Sequence, residues 1–135
     1  MDICINDFAK EVHELAIEKG WWEDPRSFGE IIALCHSELS EALEEYRAGR
    51  PIVWQPCTSA DGKPCMRDGC GDWEEGVCWL NALGDKPEGI ATEMADCIIR
   101  ILDWCGKENI DIESILRMKH EYNKTRPYKH GGKVM

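Results

Sequence analysis

Glu38, Glu41 and Glu45 stand in the run His36-Ser-Glu-Leu-Ser-Glu-Ala-Leu-Glu-Glu-Tyr46. A helix turns about 100° per residue, so positions i, i+3 and i+7 share a face. The three carboxylates therefore form one stripe, and Ile31, Cys35, Leu39, Ala42 and Tyr46 form an apolar stripe beside it. Acidic side chains along the edge of a buried face repel one another unless a cation sits among them. Read alone, the stripe fits a solvated helix face as well as it fits a set of ligands.

Glu93 and Asp96 repeat the i, i+3 carboxylate pair in a far more apolar segment. Ile90, Met94, Cys97, Ile98, Ile101, Leu102 and Cys105 surround them, and Arg100 and Asp103 continue the same edge. A helix this apolar is expected to be packed on most sides. Two helices, each with carboxylates at i, i+3 beside the core seam, can face one another and make an all-oxygen cage. Hard oxygen donors suit Mg²⁺ or Mn²⁺. A carboxylate-bridged di-iron bundle needs Glu-x-x-His pairs. The residues three positions before His13, His36, His120 and His130 are Lys10, Ala33, Arg117 and Pro127, so that chemistry is not encoded.

The elements that must carry these residues are helical. A chain of 135 residues with 43% apolar side chains is expected to be one domain, 1–135, with a real core. The first helix is expected from about Asp2 or Asn6 to Lys19, with Phe8, Val12, Leu15 and Ala16 on its apolar face and Gly20 ending it. Trp21 and Trp22 follow in a loop broken by Pro25. Adjacent tryptophans cannot share one packing direction, so one anchors the core and the other, Trp22, could stack on a flat ligand. Both packing inward is the competing arrangement. Ser27 and Glu30 form a capping box that starts a second helix, which runs to about Ala48 before Gly49. Pro87-Glu88 is expected to open a third helix that ends near Trp104 or Cys105, before Gly106. Asp111 caps a fourth, with Ile112, Ile115, Leu116 and Met118 apolar, running to about Asn123. The expected fold is all-α, an antiparallel bundle of about four helices.

Residues from about 50 to 86 interrupt that pattern. Pro51, Pro56, Pro64 and many Gly and Asp residues mark turns. Ile52–Trp54 and Gly76–Leu80 could form a short β-hairpin. Cys57, Cys65, Cys70 and Cys78 are spaced without the tight C-x-x-C pairs of a strong zinc signal. They could bind a structural Zn²⁺, form disulfides or remain reduced thiols.

Charge is distributed unevenly. From Arg117 to Met135 six basic residues face Glu121 alone, a net of +5, so the preceding body holds −15 of a chain total of −10. An acidic body argues against binding long nucleic acid. An acidic pocket with a basic tail suits a metal-chelated polyphosphate. Met1 is followed by Asp2 and an amphipathic pattern, so no secretory leader is expected, and no apolar run approaches the ~18 residues of a membrane span. The expected location is cytoplasmic, away from membranes, with the eight cysteines mostly reduced. Cys35, Cys97 and Cys105 read as small core residues.

Glu38-x-x-Glu41 on one helix, Glu93-x-x-Asp96 on the next, and Lys119-x-x-x-Asn123 followed by Arg126-Pro127 resemble the MazG-like, all-α nucleoside triphosphate pyrophosphohydrolases. The tail Glu121-Tyr-Asn-Lys-Thr-Arg-Pro-Tyr-Lys-His-Gly-Gly-Lys133 is similar to small bacterial and phage members. The resemblance spans most of the chain outside residues 50–86. It implies a helical bundle assembled as a homodimer or homotetramer. It also implies Mg²⁺-dependent hydrolysis of a (deoxy)nucleoside triphosphate to the monophosphate and pyrophosphate, with Mn²⁺ as a substitute ion. Carried over by position, Glu38, Glu41, Glu93 and Asp96 would hold the metal, and Lys119, Asn123, Lys124 and Arg126 would contact phosphate or nucleoside. A carboxylate not fully used by metal can accept a proton from water; Glu41 is the first candidate and Glu45 the second. The chain departs from the family in two ways. Ser37 stands where members often have the first Glu of a doublet, and the cysteine-bearing insertion lengthens the gap between motifs. Two alternatives stay open: a non-catalytic interaction module with a zinc-stapled insertion, and an enzyme like phosphoribosyl-ATP pyrophosphatase.

Overall fold

The computed structural model describes residues 4–54 and 86–129. Four helices account for most of them: α1 (Ile5–Glu18), α2 (Phe28–Arg47), α3 (Ile90–Lys107) and α4 (Ile112–Thr125). The fold is all-α, as the spacing of apolar residues predicts. Among the described residues the β-pairing is a single antiparallel bridge between Trp54 and Glu88. Cys57, Cys65, Cys70, Cys78 and the second proposed strand, Gly76–Leu80, lie outside the described residues.

The chain divides into two compact units. One comprises Met1–Asp24 and Leu102–Met135, and the other Pro25–Ile101. The helix α3 passes from the second into the first.

In the first unit the starts of α1 and α4 cap one another. Cys4, at the N-cap of α1, makes no side-chain cap to its own helix. The free backbone donor of Asn6 is taken by Glu113 Oε1 at 3.1 Å, and Cys4 Sγ donates to the same oxygen at 3.0 Å. Glu113 N donates in return to Asn6 Oδ1 at 3.2 Å. Each helix thus satisfies a first-turn donor of the other, and the Glu113 carboxylate complements the positive end of α1. Asp111 caps α4 as expected, accepting from Ser114 N at 3.1 Å, and also accepts from Asn6 Nδ2 at 2.8 Å.

Gly106 does not stop α3. The helix continues to Lys107, and the left-handed Asn109 (φ +54°) turns the chain instead. The glycine serves packing: a Cβ there would lie 2.5 Å from Ala9 O and 2.8 Å from His13 Cβ. That contact brings the backbones of α1 and α3 together. Gly106→Ala gains helix propensity of about 1 kcal/mol but drives a methyl into a rigid carbonyl. The expected net result is a loss of about 1–3 kcal/mol in a urea melt; unchanged stability would show that α1 can move away at little cost.

In the second unit α2 begins at the expected place. Ser27 Oγ accepts from Glu30 N at 3.1 Å, and Gly49, with φ +67°, receives the chain just past the last turn. The α3 helix starts two residues later than Pro87-Glu88 suggests, because Glu88 is drawn into the bridge. Trp54 N donates to Glu88 O at 3.0 Å and Glu88 N to Trp54 O at 2.8 Å. Advancing along α2 from Cys35 to Glu41 means retreating along α3 from Cys97 to Glu93, so the two helices run antiparallel.

The core seam differs from the expected one. Ile31, Cys35 and Ala42 are buried on α2, but Leu39 and Tyr46 are exposed; Glu38 takes the inner position instead. On α3 the buried line is Glu93, Cys97, Leu102 and Cys105, while Met94, Ile98 and Ile101 are exposed. Among the described residues α3 is buried along one stripe only, less than the packing on most sides that its composition leads one to expect. Leu15 on α1 and Ile115, Leu116 and Met118 on α4 are exposed as well. No helix among the described residues is long and apolar enough to cross a membrane.

Candidate metal centre

The second unit gathers the carboxylates. Glu38 from α2 meets Glu93 and Asp96 from α3, each with a ligand oxygen within 4.8 Å of the others. The i, i+3 spacing of Glu93 and Asp96 puts both on the side of α3 that faces α2. Glu38 lies at i+3 from buried Cys35 and i−4 from buried Ala42, on the line that packs against α3. Glu41, one turn further on, is more exposed and within hydrogen-bonding range of both Glu38 and Glu93. Three of the four expected carboxylates thus converge in one unit, with Glu41 acting on them from the exposed edge.

Their protonation is resolved asymmetrically. Burial is the largest influence on Glu38 and pushes it up, but the hydrogen bond and charge of Arg100, together with hydrogen bonds from Glu41 and Glu93, hold the carboxyl below its ordinary range. Arg100 Nε donates to Glu38 Oε1 at 2.6 Å. Among the described residues no cation is hydrogen-bonded to Glu93. Burial first, then the hydrogen bond and charge of Glu41, push it up to about 7. Burial, with Glu38 next, also raises Asp96. Lys86, whose ammonium lies 3.6 Å from Glu88, opposes the rise at Glu93 and Asp96 through its charge.

Glu93 Oε2 is the atom that points to a ligand. It is buried, in a side chain 4% exposed, and no hydrogen-bond donor reaches it among the described residues. A buried carboxylate oxygen without a partner costs roughly 1–3 kcal/mol, more when charged. The donor set is all oxygen and contains neither thiol nor imidazole, so it suits a hard divalent ion such as Mg²⁺ or Mn²⁺. Comparison with family models, with curated proteins and with solved structures returns no match. The chemistry of this cluster therefore rests on its own geometry.

Glu45 stays outside the cluster. Trp54 Nε1 donates to its Oε2 at 2.9 Å, and Arg50 Nη1 lies 3.7 Å from its Oε1. Arg50 also sits over the Trp54 ring, 4.9 Å from its centre. The residue acts as a clamp for the chain leaving α2. Asp103 does not continue the acidic edge into the cluster. It accepts from Trp22 Nε1 at 3.0 and 3.1 Å and lies 2.8 Å from His13 Nδ1, all within the first unit. Trp22 is accordingly held by its indole N–H, with its ring edge-on to His13 and Lys107 above it at 5.3 Å.

Lys119, Asn123 and Lys124 are exposed on α4, and Arg126 is half-buried just beyond it. Lys124 pairs with Glu121 at 2.7 Å, and Lys119 lies over the Tyr122 ring. Two residues of the centre escape a reading of the motifs. Arg100 is visible in the sequence as a lone cation on an acidic edge, four residues after Asp96. Lys86 has no signal at all, since only the fold brings its field onto Glu93, Asp96 and Glu41.

Proposed function

We propose that the protein is a divalent-metal-dependent nucleoside triphosphate pyrophosphohydrolase of the MazG-like kind, releasing pyrophosphate and a nucleoside monophosphate. The observation that carries this reading is the unpartnered, buried Glu93 Oε2 within the Glu38–Glu93–Asp96 triad. Glu38, Glu93 and Asp96 would hold the ion, and Glu41 would be the fourth carboxylate available to it. When bound, such an ion neutralises polyphosphate charge and makes nearby water more acidic. Glu41 is exposed at the rim and accepts the proton of the attacking water. Glu45 is the weaker choice for that task, because Trp54 and Arg50 already engage it. Lys119, Asn123, Lys124 and Arg126 carry the cationic and amide groups that a triphosphate needs, and Trp22 remains the aromatic candidate for the base. The homodimer or homotetramer implied by the resemblance belongs to the same reading.

The test is a pyrophosphate-release assay over the eight common ribo- and deoxyribonucleoside triphosphates, with Mg²⁺, Mn²⁺ or chelator. Release that needs the metal is expected for at least one of them. Silence across the panel, with phosphoribosyl-ATP also inert, would sink the enzymatic reading and leave the non-catalytic interaction module.

A further inference from the structure

Arg100 stands one turn beyond Asp96 and two beyond Glu93 on α3, so all three side chains face α2. Its Nε donates to Glu38 Oε1 at 2.6 Å, a short, charge-assisted bond. The side chains of both residues are largely withdrawn from solvent, at 22% and 9% exposure. Water screens such a pair far less than it screens one on the surface. Glu38 is also one of the three side chains whose oxygens converge within 4.8 Å. The same carboxylate therefore serves two cations: the guanidinium and the divalent ion proposed above.

We propose that Arg100 is a built-in rival for Glu38, a tethered cation that holds this ligand until a divalent ion displaces it, and so sets how tightly the site takes metal. The inference rests on the metal-site reading and adds regulation to it. Two physical effects point the same way. The incoming ion must either share Glu38 with the guanidinium or break the bond, and a fixed positive charge a few ångströms away repels a dication. Arg100 also positions. Its short bond aims Glu38 at Glu93 and Asp96, so the ligand is in place before the ion arrives. Lysine cannot reproduce this role, because it lacks the planar fork that fixes the direction of the bond.

The sign of the expected effect separates this role from a merely structural one. Damage to packing loosens metal binding, whereas removal of a rival tightens it. Mn²⁺ binding to the full chain, followed by isothermal titration and by the loss of the free-ion paramagnetic signal at pH 8, is expected to tighten about fivefold or more in Arg100→Gln. Arg100→Lys, which keeps the charge, is expected to lie between wild type and Arg100→Gln. A second measurement needs no variant. The Arg100 Nε–H resonance of ¹⁵N-labelled wild type should shift when Mg²⁺ saturates the protein, as the bond to Glu38 is broken or shared. Equal or weaker Mn²⁺ binding in a folded Arg100→Gln, or an Nε–H unmoved at saturating Mg²⁺, overturns the rivalry and leaves the metal site standing. If neither wild type nor Arg100→Gln binds either ion, the metal-site reading fails, and this inference fails with it.

Discussion

Asp96→Asn is expected to reduce Mg²⁺-dependent pyrophosphate release by about 10²–10³-fold while leaving the helical circular dichroism unchanged. A bound divalent ion contributes several kcal/mol to a phosphoryl-transfer transition state, and each 1.36 kcal/mol is a tenfold change in rate. The amide keeps the shape of Asp96 but gives up the charge that draws the ion. Asp96 is half-buried and takes part in none of the hydrogen bonds described above, so the loss should appear in catalysis and not in stability. Glu38→Gln is expected to fall as far in activity. It should also lose some stability, because the Arg100 guanidinium is left facing a neutral amide. Raising the Mg²⁺ concentration should recover part of the activity in both variants, since the damage is to affinity for the ion. Activity near that of wild type in Asp96→Asn would remove the residue from the metal set.

The second large effect concerns pH and Glu93. Its carboxyl titrates at about 7 in the folded protein against an ordinary 4.5. Below about pH 4.5 it is protonated whether the chain is folded or not. Between 4.5 and 7 only the folded chain keeps the proton, so stability falls as pH rises through that window and levels off above it. At 1.36 kcal/mol per unit the fall is on the order of 3 kcal/mol, and the raised Asp96 adds in the same direction. Glu38 works oppositely. Its depressed carboxyl contributes stability above its unfolded value, and that is lost as pH drops through the folded one. Glu93→Gln removes the ionisation and leaves a neutral amide. It is expected to be more stable than wild type in urea melts at pH 8, and about equal to it at pH 4.5. The same substitution should weaken Mg²⁺ or Mn²⁺ binding, because a ligand charge is gone. In wild type, saturating Mg²⁺ should raise the melting temperature at pH 8 and far less at pH 5.5, where proton and ion compete for one oxygen. A wild-type profile that is flat between pH 5 and 8 would show that Glu93 keeps no proton in the fold.

The two predictions are linked by the way the cluster manages its charge. Three converging, largely buried carboxylates with a fourth at their rim are not tolerable as four anions. The fold assigns a guanidinium to Glu38 and a proton to Glu93, and a dication can replace both. A protein whose acidic residues were only a solvated face would need neither. Their burial is what makes the cluster costly, and that cost is what a metal can relieve.

Much of this was legible in the residues before any coordinates. The four helices follow from apolar spacing and from local signals: Ser27 ahead of Glu30, Asp111 ahead of Ser114, Gly20 and Gly49 just past helix ends. Such signals act within one turn, so sequence carries them completely. The i, i+3 pairs fix which carboxylates share a face for the same reason. Gly106 shows the limit. As a local signal it reads as a stop, yet α3 runs through it, because its missing side chain answers to Ala9 on a distant segment. Leu39 and Glu38 exchange their expected places for a similar reason. One residue is 100° on a helix, and which edge of a stripe turns inward depends on the partner helix. The choice of Glu38 as the buried ligand, its capture by Arg100, the isolation of Glu93 Oε2 and the diversion of Glu45 to Trp54 all depend on residues far apart in the chain. The sequence by itself determined the helices and the chemical character of their faces, since those depend on near neighbours. Only the tertiary structure decided which acid keeps a proton and which takes a cation, because desolvation and charge pairing are set by what packs across from each side chain.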